Sequence, residues 1–145
     1  MAAVLMMLTA IMAISATPAE DAKARIARWD QGPATIDVTN YPVALRERYE
    51  VYAVKCARCH KLGRSINADY VLPDQWESCV ERMRGKFAFF FFGISQAAAR
   101  QIQDFLVYDS SVRKKPLLEA ALAKLSDEER KAAEDRIKEI QVRLK

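Results

Sequence analysis

Residues 56 to 60 read Cys-Ala-Arg-Cys-His, and the closing histidine, His60, is the only one in the chain. Few short motifs restrict a fold so strongly, because two thiols and an adjoining imidazole must serve one chemistry together. Three chemistries compete: covalent attachment of a haem, a redox dithiol, and a zinc site that recruits Cys79 as a further ligand. A redox dithiol belongs beside a βαβ pattern, and this chain has almost no strand pattern. Structural zinc sites normally separate their ligand pairs, whereas Cys59 and His60 are neighbours. C-x-x-C-H is the attachment signature of haem c. The spacing lets Cys56 and Cys59 meet two vinyl groups on one porphyrin edge, and His60 then faces the iron as its proximal ligand.

His60 supplies one axial position, and with no second histidine a bis-imidazole iron is excluded within one chain. Of the five methionines, Met1, Met6, Met7 and Met12 lie in the opening segment, which leaves Met83. It shares a helical face with Trp76 and Val80, so it can point inward as the distal ligand. A His/Met pair raises the reduction potential relative to His/His. A core-filling role for Met83 is the competing reading. Cys79, one turn before Met83, reads as a buried inert thiol or as a further candidate ligand. A sixth position open to water or a small ligand is the third option.

The opening segment, "MAAVLMMLTAIMAISATPA", is apolar and then small, as in a secretory signal. Cleavage fits after Ala16 or Ala19. The apolar run from 2 to 16 is shorter than the ~20 residues of a spanning helix, and an uncleaved anchor is the alternative. Export to the periplasm or the outer face of a membrane follows as an expectation. In that oxidising setting, thioethers would consume two of three cysteines and leave Cys79 over.

Four regions follow: a signal or apolar segment at 1–19, an extended leader at 20–41, a haem-binding domain at 42–115, and a helical extension at 116–145. Within the leader, "EDAKARIARW" suits a short helix, and Trp29 is expected to pack on the domain. Leu45, Tyr49, Tyr52 and Cys56 recur at helical spacing, predicting a helix over about 42–55 that runs into the motif. "KLGRSINADYVLP" reads as a loop. Asp74 and Glu77 suggest a capping box for a helix over about 75–85. Ser95 caps a third helix, over about 95–107, with the stripe Ala98, Ile102, Phe105 and Leu106. The first and third helices are expected to pack Leu45, Tyr49 and Tyr52 near Ile102, Phe105 and Leu106. Pro116 suits a helix first turn. Ser126 with Glu129 forms a second capping box, opening a helix with Ala133, Ile137, Ile140 and Leu144 on one side.

Hydrophobic residues at 51% rule out a disordered chain, and a net charge of +4 does not call for nucleic acid. The run "FAFFFFG" cannot turn all its rings to one core. It divides between haem cover and an exposed contact patch. Lys55, Arg58, Lys61, Arg64, Arg82, Arg84 and Lys86 surround the motif. They suit haem carboxylates and a positive rim that attracts an acidic redox partner.

"YEVYAVKCARCHKLGRSINADYVLPDQWESCVERM" followed by "ISQAAARQIQDFLVYDSSVRK" resembles small exported monohaem c-type cytochromes, over about residues 29 to 115. Beside C-x-x-C-H, the pattern W-x-x-x-V-x-R-M (Trp76, Val80, Arg82, Met83) carries the likeness. The resemblance implies an all-α, cytochrome c-like domain around one covalent haem c, with Cys56 and Cys59 as attachment residues. It likewise implies His60 as proximal and Met83 as distal iron ligand. The implied function is one-electron transfer to redox partner proteins, without enzymatic turnover. Two alternatives remain: a haem-bearing subunit of a membrane complex, tethered by the C-terminal helices or the N-terminal segment, and a haem sensor or small-ligand binder. Many mitochondrial-type relatives carry the methionine far downstream on an extended loop. Here it falls on a helix soon after His60, and the phenylalanine run replaces the glycine-rich connection.

Overall fold

A computed structural model describes residues 18–86 and 93–145. The expected signal segment up to residue 17 and the phenylalanine run at 87–92 lie outside the described residues. Those residues form an all-α fold, with no strand among them. None of their helices is long and apolar enough to cross a membrane.

Helix α1 spans Pro18–Gln31. The region between the signal and the domain is therefore not extended throughout. Glu20 and Asp21 in the first turn and Arg28 in the last complement the helix dipole. Trp29 is its one buried residue. Beyond it, residues 32–42 run without regular structure and bring Ile36 into the core.

Helix α2, Val43–Cys56, ends on the first cysteine of the motif. Its stripe packs as the periodicity predicts, against helix α5, Gln96–Arg113. The rings of Tyr49 and Tyr52 lie 5.3 and 5.2 Å from that of Phe105. Leu45, Tyr52 and Phe105 are fully enclosed. Ser95 caps α5 by accepting from the Ala98 amide. The helix runs past its predicted end to Arg113, because Asp109 and Ser110 are buried with partners rather than turned to water. Asp109 accepts from the Tyr41 hydroxyl at 2.9 Å and pairs with Arg113 at 2.6 Å. Ser110 accepts from the Trp76 indole at 2.9 Å.

Helix α4, Pro73–Lys86, packs on the same α5. It begins one residue before Asp74, so Asp74 lies in the first turn instead of capping it. The side-chain Oε1 of Gln75 takes the capping role, accepting from the backbone amides of Val71 and Leu72 at 3.0 Å each. A short helix α3, Gly63–Ile66, occupies part of the segment read as loop. It receives the end of α1. Asn67 clips the junction: its amide nitrogen donates to the carbonyls of Trp29 (3.0 Å), Pro33 (3.1 Å) and Gly63 (2.7 Å). A Cβ at Gly32 would stand 2.3 Å from that amide, so a side chain there is incompatible with the clip.

Helices α6, Lys115–Leu122, and α7, Asp127–Arg143, complete the chain. The Ser126–Glu129 capping box forms as read. Ile137, Ile140 and Leu144 join the main core, and α7 packs on α5 and α4. Asp104 of α5 fastens this extension. Its buried carboxylate faces Arg48 of α2 at 3.5 Å, with Arg136 (3.3 Å) and Arg143 (3.0 Å) of α7.

Candidate functional site

The cysteine motif sits where α2 stops. Cys56 is half-buried against the core, whereas Cys59 is exposed, and no disulfide joins them. Burial pushes the Cys56 thiol up to about 12, reinforced by the neighbouring thiols of Cys79 and Cys59. Cys79 is raised by burial too, with Arg82 opposing. Burial therefore favours the protonated form of Cys56 and of Cys79.

Beside the motif lies a cavity of about 390 Å³, within the range of small-molecule and cofactor sites. Cys59, His60, Cys79 and Met83 all line it, together with Trp29 and Tyr70. The fold therefore brings the motif to the methionine, although the segment after α2 and helix α4 supply them from separate parts of the sequence. Cys56 is not among the lining residues; it ends α2 and packs against the core. Of the predicted basic cluster, Arg64, Arg82 and Lys86 reach the wall. Arg84 turns away to Glu81, and Arg64 is paired with Asp30 by bonds of 3.0 and 2.6 Å. That pairing holds the Asp30 carboxyl below its ordinary range.

The orientation of His60 matters most for coordination. Its Nδ1 lies 2.9 Å from the Lys61 carbonyl. A carbonyl only accepts, so Nδ1 carries a proton, and in the neutral ring the lone pair is then on Nε2. This is the form in which a histidine binds a metal, its tautomer fixed by the other nitrogen's hydrogen bond. Among the described residues, no three His, Cys, Asp or Glu side chains converge as metal ligands. A tetrahedral zinc site would require such convergence.

The donor set fits a haem. One imidazole, one thioether and the two thiols of Cys59 and Cys79 line one cavity, and Cys56 adjoins it in the chain at the end of α2. The indole Nε1 of Trp29 is enclosed and makes no hydrogen bond among the described residues. Such an enclosed donor lacks an acceptor that a bound group can supply.

The far wall was harder to read from sequence. Ala68 and Tyr70, from the loop after α3, line the cavity. The C-terminal end of α5 holds this loop. Arg113 donates to the Ile66 carbonyl at 2.9 Å and Lys114 to that of Ala68 at 2.7 Å. The Lys114 ammonium also stands 5.2 Å from the Trp76 ring centre. Burial, aided by Arg113, lowers the Lys114 ammonium to about 8, against opposing pulls from Asp109 and Asp69.

The unfolded chain therefore binds this proton more tightly than the folded protein does. The cost of the charged Lys114 is fully present below about pH 8 and fades towards pH 10.5. Wild type minus Lys114→Met stability is expected to rise across that window, by about 3 kcal/mol at most. Urea unfolding of both proteins between pH 7 and 10.5 measures it, and the difference cancels the tyrosines and thiols that titrate there.

Comparison of the chain with protein-family profiles, curated proteins and solved structures finds no match.

Proposed function

We propose that this protein is a monohaem c-type cytochrome that transfers one electron at a time, outside the cytoplasm. The observation that carries the reading is the shared cavity: His60, held in its metal-binding tautomer, and Met83 line one wall system with Cys59. Cys56 and Cys59 would hold the haem c by thioether bonds, with His60 and Met83 on its iron. When bound, that group supplies an iron that alternates between ferric and ferrous states.

The chain's own part is positional. The Lys61 carbonyl holds the imidazole through Nδ1, and the residue lines the cavity. Helix α4 presents Met83 from the other chain segment, and its buried Trp76 and Val80 anchor that face in the core. Two strong axial donors would leave no substrate position, so the reading is a carrier or redox subunit and not an enzyme. The cationic residues at the cavity, Arg82 and Lys86 foremost, suit an acidic redox partner.

An optical spectrum of the protein, matured by a haem-attachment system and exported, tests the proposal in both oxidation states. The expected result is a low-spin haem c with a methionine–iron charge-transfer band in the ferric form. A protein that carries no covalent haem would overturn the proposal. A high-spin ferric spectrum would replace the carrier by a binder with an open sixth site.

A further inference from the structure

A second concave surface lies away from the cysteine motif, where α4 and α7 both begin. It is a groove of about 310 Å³. Leu125, Ala132 and Ala133 give it apolar lining, and Asp74, Glu77 and Glu129 give it three exposed carboxylates. No cation lines it. Among the described residues, neither Asp74 nor Glu77 forms an ion pair. Acids at helix starts complement the helix dipole, which accounts for Asp74 on α4 and Glu129 on α7 taken singly. It does not account for two helices bringing their acids to one groove with an apolar lining.

The other end of α4 has the opposite sign. Arg82 and Lys86 are exposed and line the cavity beside the motif, and no carboxylate lines that cavity. Arg84 stands apart from this set because it is paired with Glu81. Both ends belong to one helix, anchored by the buried Trp76 and Val80. Asp74 and Lys86 stand roughly 18 Å apart along its axis, so the acidic and basic sets cannot meet within one molecule. Between molecules they can. Lysine and arginine lay their methylene stems on apolar surface and keep the charged head among polar groups. The groove offers both kinds of surface.

We propose that a second copy of this chain docks in the α4–α7 groove: Arg82 and Lys86, at the cavity mouth of one copy, meet Asp74, Glu77 and Glu129 of the next. The contact uses different surfaces on its two sides. A heterologous contact of this kind builds open chains unless its rotation closes a ring. The net charge of +4 repels copies at long range, so the association is weak and depends on the local pairs. It rests on the charges of the described residues and not on the haem reading.

Sedimentation velocity of the purified full chain at low ionic strength is the test. The average mass is expected to rise with concentration past that of a dimer, and to return to the monomer in high salt, which screens exposed pairs. Two variants separate the two sides. Asp74→Lys with Glu77→Lys reverses the groove, and Arg82→Gln with Lys86→Gln neutralises the mouth. Each alone is expected to stay monomeric. Mixed, they are expected to form a dimer and nothing larger, because only one intact mouth and one intact groove can meet. Wild-type chain that stays monomeric at low ionic strength overturns the inference and leaves the haem reading standing. Association that stops at a wild-type dimer, or that survives in either variant alone, overturns it too. Should a variant fail to fold, the wild-type masses and their loss in salt decide the matter. The optical spectrum reports the haem separately, so failure of that reading is seen independently.

Discussion

In the proposed cytochrome, replacing Met83 by alanine is expected to leave the covalent haem in place and to abolish the methionine–iron band entirely. Ferric iron should change from low-spin to high-spin, and the reduction potential should fall, because the thioether that favours the ferrous state is gone. The fold itself should survive. Met83 is only half-buried, and the anchors of its helix are Trp76 and Val80, at 1% and 5% exposure. Met83→His provides the sharper companion. A second imidazole at the same helical position should restore a low-spin iron at a potential below wild type, since His/His ligation lies under His/Met. Spectra and redox titrations of the three proteins decide the point. An unchanged spectrum in Met83→Ala would return Met83 to the role of core filler.

The second large effect concerns stability. Asp104→Ala is expected to destabilise the protein by about 3 kcal/mol, the low end for breaking a buried ion pair. The carboxylate is 5% exposed and faces three guanidiniums. Removing it takes the paired carboxylate from Arg48, which is only 20% exposed and whose buried Nε already lacks a hydrogen bond among the described residues. Arg136 and Arg143 retain contact with water, at 39% and 43%, which moderates the loss. Urea unfolding measures the change. Because Asp104 joins α7 to α5, hydrogen exchange in α7 should accelerate first. A change below 1 kcal/mol would mean that the apolar contacts of Ile137, Ile140 and Leu144 fasten the extension without help.

Much of the helical framework could be read from residue spacing alone. Leu45, Tyr49 and Tyr52 on α2 and Ile102 and Phe105 on α5 repeat with the helical period. Apolar periodicity reports which face is buried, whatever lies opposite. Ser95 and Ser126 marked helix starts because capping is a local interaction, complete within four residues. Two of the misreadings share a cause in long-range pairing, and the one at the start of α4 is local. Asp109 and Ser110 look like the polar end of a helix, yet Tyr41, Arg113 and Trp76 satisfy them inside the core. Asp74 and Glu77 matched a capping pattern, but Gln75 took its place. The segment around Gly63 looked like a polar loop because its structure depends on Asn67 gathering carbonyls from residues more than thirty positions away.

For the candidate site, the motif itself named Cys56, Cys59 and His60, and the count of methionines singled out Met83. That Cys59, His60 and Met83 line one cavity is a property of the fold. Trp29 was legible as a packing residue only. No local pattern distinguishes a satisfied indole from an unsatisfied one, since the difference lies in what surrounds Nε1 in space.

The loop carrying Ala68 and Tyr70 is stitched to α5 by Arg113 and Lys114, and Tyr70 is wedged edge-on between Trp29 and Trp76. For a centre that changes charge by one, such a wall has a thermodynamic effect. Dipoles that are already fixed need not turn when charge changes beside them. In the proposed carrier, the reorganisation energy would therefore come mostly from solvent at the open edge and little from the protein. Loosening Lys114 would then slow electron exchange without touching any ligand of the iron.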